Sequence, residues 1–215
     1  MAYNSPEGTV DLLPGAARHW RHAQDVAARL FSAYGYDFME TPIFEQTEVF
    51  TRGIGEATDV VNKEMFVVRS GENYRRSLEA GTDAGLKGKS RLSLRPEGTA
   101  GVVRAVVQHN LVEQGATPAK LYYAGPMFRA ERPQKGRLRE FHQIGAECLG
   151  STEPTADAEM IIMLVRFYEK MGIPASDMTL YVNSMGDERC RPAYRAMVRD
   201  HILSHADEMC EECRR

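Results

Sequence analysis

Residues 120–149 read KLYYAGPMFRAERPQKGRLREFHQIGAECL, and this stretch decides the fold. Its two ends, 120–129 and 139–149, have the composition of β-strands, and the polar residues 130–138 separate them. The pattern predicts a long hairpin. Elsewhere, strand-like and helix-like segments are interleaved with hairpins rather than arranged in strict βαβ units, so the predicted fold class is α+β with an antiparallel sheet.

The second strand of this hairpin has two unlike faces, because alternate side chains of a strand point in opposite directions. One face combines a cation, a ring, an amide, a gap and a carboxylate, from Arg139, Phe141, Gln143, Gly145 and Glu147. The other face, beyond His142, is mostly small or apolar. The first set predicts a surface on which a ligand lies, and we call these five residues the ligand floor. Gly145 leaves room for a ligand beside the backbone. Arg129, on the opposing strand, has the charge and the forked shape that suit a phosphate. A solvated, salt-bridged hairpin is the alternative, and spacing alone leaves both open.

Composition limits the class of protein. The chain has 215 residues, of which 43% are hydrophobic and 27% charged, enough for one substantial core. No apolar run reaches the roughly 18 residues of a membrane span, and residues 1–10 lack the features of a secretory signal, so a cytoplasmic protein is expected. The net charge of −3 argues against a generally basic nucleic-acid binder, although residues 129–139 carry a local charge of +4.

Hydrophobic periodicity and turn residues predict the remaining elements. Helices are expected at 14–34, at 46–52, after Thr99, at 157–171 and over most of 188–209. Short strands are expected at 36–41, 64–69, 92–95 and 178–183. Residues 70–90 contain several glycines and few apolar residues, which predicts a polar loop or hairpin insertion.

Residues 125–150, GPMFRAERPQKGRLREFHQIGAECLG, closely resemble motif 2 of histidyl-tRNA synthetase, a class II aminoacyl-tRNA synthetase. Motif 2 then covers 120–150, residues 35–50 resemble motif 1, and LRPEGT at 94–99 matches the family's amino-acid-binding segment. The resemblance implies a class II fold, in which helices flank an antiparallel sheet, and a homodimer. It also implies that residues 1–215 are the N-terminal part of a catalytic domain, because motif 3, a second histidine-site segment and the anticodon-binding domain find no match in them.

The same resemblance implies a two-step reaction. The carboxylate of histidine attacks the α-phosphorus of ATP with the assistance of Mg2+, and the histidyl-adenylate then passes its histidyl group to tRNA. Both steps depend on positioning and charge stabilisation more than on a protein nucleophile. The implied partners are L-histidine, ATP and histidine tRNA, with no membrane.

By this resemblance, residue roles carry over from the matched motifs. Arg129 becomes the catalytic arginine on the α-phosphate and also borders the histidine site. The other histidine contacts are Glu97, Gly98, Thr99, Gln143 and Glu147. Of these, Glu97, Thr99 and Gln143 hold the α-ammonium, and Glu147 accepts a hydrogen bond from the imidazole. The remaining implied contacts are to ATP, from Glu131, Arg137 and the adenine-stacking ring of Phe141, and to the acceptor end of tRNA, from Arg132 and Gln134.

Other functions stay open. A regulatory paralogue of ATP phosphoribosyltransferase shares this fold and binds histidine without charging tRNA, but it tends to lose the loop signature RPQKGR, which residues 132–137 retain. A catalytically incomplete fragment is a further alternative. The chain by itself is therefore expected to show weak or no histidine-dependent ATP–pyrophosphate exchange.

A single CxxC motif lies at Cys210 and Cys213, with His201 and His205 nearby. A structural zinc site needs four ligands, and one CxxC without a second pair favours ordinary thiols. No metal site is predicted.

Overall fold

The computed structural model describes residues 3–55, 58, 64–72, 74–75, 91–112, 118–184 and 186–211. The chain divides into two units, Met1–Ala175 and Ser176–Arg215, which we describe separately. The elements of the first unit are α1 (Pro14–Ala33), β1 (Asp37–Phe38), β2 (Phe44–Gln46), α2 (Thr47–Ile54), β3 (Val67–Val68), β4 (Leu92–Leu94), α3 (Thr99–His109), β5 (Ala119–Phe128), β6 (Glu140–Leu149) and α4 (Pro154–Lys170). The second unit contains α5 (Arg191–Ser204) and a 3-10 turn at Ala206–Glu208.

The predicted hairpin is confirmed. β5 and β6 pair antiparallel over their whole lengths, from Ala119 opposite Leu149 to Phe128 opposite Glu140. β1 joins the other edge of β5 in parallel, whereas the second sheet, in the order β2-β4-β3, is antiparallel. The α+β class is therefore confirmed, but the sheet of β1, β5 and β6 is mixed rather than antiparallel. Because the second sheet and α3 lie between β1 and β5 in the chain, no hairpin forces those two strands to run in opposite directions.

Both faces of the hairpin are covered, and the alternation of side chains decides what each face contacts. On one face Tyr122 packs against α1 and α4, in a cluster that also includes the predicted apolar residues Ile144, Ala146 and Cys148. The opposite face packs against α3, through Leu121, Tyr123 and Met127 of β5 and Val102 and Val106 of α3. The face of β6 predicted as a ligand floor is therefore the one that lies on the α3 side of the sheet.

The helix boundaries follow from local chemistry. α1 begins at Pro14, whose fixed φ suits a first helical turn, and Gly35 with φ +81° follows its end. α4 also begins at a proline, Pro154, and so starts earlier than the predicted residue 157. Among the described residues, no helix has both the length and the apolar character that a membrane span requires.

Several predicted strands need correction. Residues 178–183 form no strand, and Leu180 and Tyr181 in this segment are exposed. A strand requires a neighbour for its backbone hydrogen bonds, and no strand is assigned in the described part of the second unit. The strands predicted at 36–41 and 64–69 shrink to β1 and β3, whose pairing covers two positions each. Of the insertion predicted at 70–90, residues 73 and 76–90 lie outside the described residues.

Candidate active site

The start of α3 meets the last part of β6 through a small group of polar side chains. The carboxylate of Glu97 accepts hydrogen bonds from the backbone N–H of Thr99 (2.6 Å) and of Ala100 (2.8 Å), which caps the first turn of α3. The hydroxyl of Thr99 donates to Oε1 of Glu147 at 2.6 Å. The structure thus brings together Glu97, Thr99 and Glu147, which the sequence predicts as histidine contacts.

Tyr123 fills the space beside these residues. A Cβ placed on Gly98 would lie 2.2 Å from its Cε2, and one placed on Gly145 would lie 2.4 Å from its Oη. The expectation that Gly145 leaves room for a ligand is therefore wrong, because that room holds a tyrosine ring. Gly98, predicted as a histidine contact, adjoins the same ring, so its lack of a side chain is required by the packing of Tyr123.

Burial perturbs the two ionisable groups of this cluster. It raises the pKa of Glu147 above the usual range of a carboxyl group, an effect that hydrogen bonds from Thr99 and Tyr123 oppose. Burial also raises the pKa of Tyr123 to about 12. The hydroxyl of Tyr123 therefore keeps its proton at neutral pH, and its oxygen lies 3.4 Å from Oε1 of Glu147.

Gln143 lies further along the same face of β6, opposite Gly125. Its Oε1 atom is buried and has no hydrogen-bond partner among the described residues. A buried acceptor without a partner costs about 1–3 kcal/mol. Gln143 lies on the predicted ligand floor, but its Oε1 atom is enclosed by protein in this conformation, so its contact with the α-ammonium stays a prediction.

Arg129 is held above the loop end of this face. Its Nε donates to the carbonyl of Pro96 at 3.0 Å, and its guanidinium carbon lies 5.2 Å from the centroid of the Phe141 ring. This cation–π geometry fixes the cation beside the ring. In this structure the guanidinium covers the ring that the sequence assigns to adenine, so adenine stacking on Phe141 stays a prediction.

The loop between β5 and β6 is a short, charged hairpin. Gln134 and Arg137 exchange backbone hydrogen bonds of 3.1 and 2.9 Å, and Gly136 between them has φ +82°. Arg137 also lies 3.2 Å from Oε2 of Glu131, whose Oε1 is 3.9 Å from Arg129. The predicted ATP contacts therefore meet at the base of the loop, while Arg132 and Gln134, the predicted tRNA contacts, are exposed.

Two functional candidates were missed by sequence reasoning. Tyr123 could have been found from the hairpin register, which places it opposite Gly145. Arg95 is only 5% exposed, and its guanidinium donates to the carbonyls of Thr41 (2.8 Å) and Pro126 (2.9 Å). Burial lowers the pKa of this arginine. Arg95 thus links the segment after β1 to β5. The next residue, Pro96, supplies the carbonyl group that accepts the hydrogen bond from Arg129.

The other side of α3 borders a cavity of about 870 Å3. α2 forms the opposite wall, and the lining includes Val49, Ile54, Val103 and Val107. Glu97 and Thr99 are also among its lining residues. The cavity therefore shares two residues with the candidate site, although its described lining includes no residue of β6.

Metal-binding groups are a separate question. In the described ranges, no group of three or more His, Cys, Asp or Glu side chains is placed to hold a metal ion. Cys210 is exposed, and Cys213, the second cysteine of the CxxC motif, lies outside the described residues.

Comparison with known proteins shows which protein family this sequence matches. A family model described as histidyl-tRNA synthetase matches residues 8–186. Histidine–tRNA ligases are similar over nearly the whole chain: that of Bacillus licheniformis is 44% identical over 215 residues, which cover 100% of this chain and 46% of the relative. That of Geobacter sulfurreducens is 44% identical over 209 residues, which cover 97% and 46%. The chain spans about half the length of the curated relatives it matches.

Solved structures give the same match at the level of the fold. The apo histidyl-tRNA synthetase of S. aureus superposes with a TM-score of 0.67 at 31% identity, covering 99% of this chain and 45% of that one. A Bacillus halodurans protein described as an ATP phosphoribosyltransferase regulatory subunit/histidyl-tRNA synthetase gives a TM-score of 0.61 at 25% identity, covering 80% and 39%. The S. aureus structure therefore matches the fold of this chain over nearly its whole length.

Proposed function

The chain belongs to the histidyl-tRNA synthetase family, and on that premise we propose that residues 1–215 form the N-terminal part of a histidine–tRNA ligase catalytic domain. Motif 1 is assigned to residues 35–50, and motif 2 to residues 120–150, which contain β5, β6 and the loop between them. The proposed reaction joins histidine to the α-phosphate of ATP, releases pyrophosphate and then transfers the histidyl group to the terminal ribose of histidine tRNA.

The observation that carries this proposal is the order of side chains along one face of β6. From the end of the strand toward the loop, that face presents Glu147, then Gln143, and then Phe141 with Arg129 above it. Histidyl-adenylate has its parts in the matching order of imidazole, α-ammonium, phosphate and adenine. A ligand lying along the strand would meet acceptors at its imidazole and ammonium groups and a cation at its phosphate.

The histidine end of the site offers acceptors to a ligand that carries donors. Oε1 of Gln143 is buried without a partner among the described residues, and a turn of this side chain toward the ligand floor would let it accept from an ammonium group. The carboxylate of Glu147 would accept the imidazole N–H. A site that hydrogen-bonds its substrate in this way rejects analogues without the group by about 10⁴-fold.

The phosphate end depends on Arg129. The carbonyl of Pro96 and the ring of Phe141 hold its guanidinium in place. As an oxygen of the histidine carboxylate bonds to the α-phosphorus and the bond to pyrophosphate breaks, charge develops on the phosphate oxygens, where a fixed cation stabilises it. ATP is proposed to bring Mg2+ on its own phosphate oxygens, because Mg2+ is commonly bound through substrate phosphates.

The loop is proposed to contact the acceptor end of tRNA. Arg132 and Gln134 are exposed there, so they can reach a partner without unfolding the loop. In the second step a ribose hydroxyl attacks the histidyl carbonyl, and AMP leaves. Contacts from this basic loop to phosphates should be salt-sensitive.

The second candidate is a histidine-binding regulatory paralogue of ATP phosphoribosyltransferase, because a structure described as an ATP phosphoribosyltransferase regulatory subunit/histidyl-tRNA synthetase shares the fold. The intact RPQKGR signature at 132–137, held as a small hairpin between Gln134 and Arg137, favours the ligase. Either function is compatible with the proposed homodimer, which sedimentation velocity would test.

The test offers each proteinogenic amino acid in turn to the 215-residue chain, with binding measured by calorimetry and catalysis by ATP–pyrophosphate exchange. Selective binding of histidine is expected, with weak or no exchange, since these 215 residues span about half the length of the curated relatives they match. Selective histidine binding together with binding of a histidine tRNA acceptor-stem mimic supports the ligase, and histidine binding alone supports the regulator. No preference for histidine contradicts both, and robust exchange contradicts the proposed incompleteness.

A further inference from the structure

Tyr123 connects the hydrophobic core to the proposed histidine site. The ring is buried with Val102 and Met127, whereas Oη lies 3.4 Å from Oε1 of Glu147. Two glycines on separate elements, Gly98 and Gly145, leave the space that this ring occupies. The local packing therefore places one hydroxyl group next to one carboxylate oxygen.

The hydrogen bonds to Glu147 are unevenly divided between its two oxygens. Thr99 donates to Oε1 at 2.6 Å, and the hydroxyl of Tyr123 also approaches Oε1. Among the described residues, Oε2 receives no hydrogen bond. A carboxylate held at one oxygen by two hydroxyl groups presents its other oxygen in a defined direction.

We propose that Tyr123 is a positioning residue of the histidine site, which together with Thr99 holds Oε1 of Glu147 so that Oε2 accepts the imidazole N–H of histidine. This inference rests on the proposed function. It adds Tyr123 as a positioning residue and Oε2 of Glu147 as the atom that accepts the imidazole N–H. Tyr123 does not touch the reacting groups, and it acts through Glu147.

The ionisation of the cluster supports this role. Burial raises the pKa of Tyr123 to about 12, so its hydroxyl remains a donor at neutral pH. Burial raises the pKa of Glu147, the nearby charge of Glu97 raises it further, and the bonds from Thr99 and Tyr123 lower it. The two hydroxyl groups therefore favour the charged carboxylate, which is the better acceptor for an imidazole N–H.

The variant Tyr123→Phe separates positioning from space filling, because it keeps the ring and removes only the hydroxyl. Tyr122→Phe is the matched control. Tyr122 is the preceding residue of β5, is also buried and packs edge-on against Phe31 in the cluster on the opposite face. The two variants lose the same atom from opposite sides of one strand.

The first measurement needs no ligand. The side-chain carboxyl signal of Glu147 is followed by 13C NMR from pH 3 to pH 8 and assigned by its absence in Glu147→Gln. Loss of a hydrogen bond to the charged form should raise the titration midpoint in Tyr123→Phe and leave it unchanged in Tyr122→Phe. An unchanged midpoint in Tyr123→Phe would overturn the proposal.

The second measurement compares L-histidine with β-(2-thienyl)alanine, which has a similar ring without an N–H group. In Tyr123→Phe the preference for histidine should fall by about fivefold to tenfold, and in Tyr122→Phe it should not change. Equal weakening of both ligands in Tyr123→Phe indicates a structural role and overturns the proposal. If the parent chain itself shows no preference for histidine, the proposed function fails, and the carboxyl titration then decides by itself whether Tyr123 positions Glu147.

Discussion

The two ends of the ligand floor are built in different ways. At the end near α3, hydrogen bonds of 2.6 Å join Thr99 to Glu97 and to Glu147, beside the buried ring of Tyr123. At the loop end, charged groups face solvent, and the side chain of Arg137 is 65% exposed in its ion pair with Glu131. Short hydrogen bonds to a carboxylate that packs beside a buried ring are directional even though Thr99 itself is exposed, whereas exposed ion pairs are weak and screened by salt. Recognition of an amino acid therefore suits the first end, and attraction of a polyanion suits the second.

Gly145→Ala should have the largest effect, a loss of stability, because it disrupts the packing around Tyr123 at the α3 end of the ligand floor. The added Cβ would lie 2.4 Å from Oη of Tyr123, and overpacking of this kind costs about 3 kcal/mol in the free energy of unfolding. Urea denaturation followed by the fluorescence of Trp20 measures that loss. Gly15→Ala is the control, since its Cβ would meet no atom within 4 Å in the first turn of α1. If both variants had equal stability, the close packing of Tyr123 would be refuted.

Arg129→Ala should have the next largest effect, this time on binding at the junction of the two ends. Removal of a fixed donor to a charged phosphate typically costs about 100-fold, so affinity for a sulfamoyl analogue of histidyl-adenylate should fall by that factor. Calorimetry with the 215-residue chain gives the affinity. Arg166→Ala, which removes an exposed arginine from α4, should leave it unchanged. Near-normal binding by Arg129→Ala would remove this arginine from its proposed role.

The sequence was sufficient to predict the hairpin and its two faces. The period of two in 139–149 separated Ile144 and Ala146, which pack against α1 and α4, from Gln143 and Glu147 on the α3 side. This alternation is a local property of a strand, so it needs no knowledge of the rest of the chain. The family resemblance of 125–150 is likewise contained in contiguous residues.

Glu147→Gln should weaken histidine binding by about tenfold, because it replaces a charged acceptor of the imidazole N–H by a neutral one. Glu140→Gln, on the opposite face of β6, is the control. Affinity in the parent should also fall as the pH is lowered through the raised pKa of Glu147, and Glu147→Gln should lose that dependence. Calorimetric titrations at a series of pH values measure both effects, and an unchanged affinity in Glu147→Gln would contradict the assignment.

The free energy of unfolding should depend on pH in the opposite sense to the affinity for histidine. Since the folded state raises the pKa of Glu147, it binds this proton more tightly than the unfolded chain does. The resulting stabilisation is complete below the ordinary carboxyl range and is lost as the pH rises through the folded pKa. The free energy of unfolding of the parent, relative to Glu147→Gln, should therefore decrease over that interval and remain constant above it. An increase over the same interval would show that the carboxyl group is not destabilised by burial.

What the sequence could not predict depends on partners distant in the chain. The ring of Tyr123 is placed by Gly98 and Gly145, which lie 25 and 22 residues away in the numbering, and neither glycine signals a tyrosine by itself. Residues 178–183 have the alternation of a strand but no strand beside them in the described part of their unit. In both cases the local sequence pattern described the side chains themselves correctly. The structure that they adopt depends on the residues or strands that pack opposite them.

Arg132→Ala should have the smallest effect, confined to the exposed end. Unfolding free energy should change by less than about 0.5 kcal/mol, because Arg132 is an exposed loop residue. Binding of a histidine tRNA acceptor-stem mimic should weaken, and the slope of log K against log salt concentration should become shallower by about one, as for the loss of one phosphate contact. Gln134→Ala, the neutral control from the same loop, should weaken binding without changing that slope. If Arg132→Ala left the slope unchanged, the exposed end would not act through charge, and the contrast between the two ends would have to be explained by shape alone.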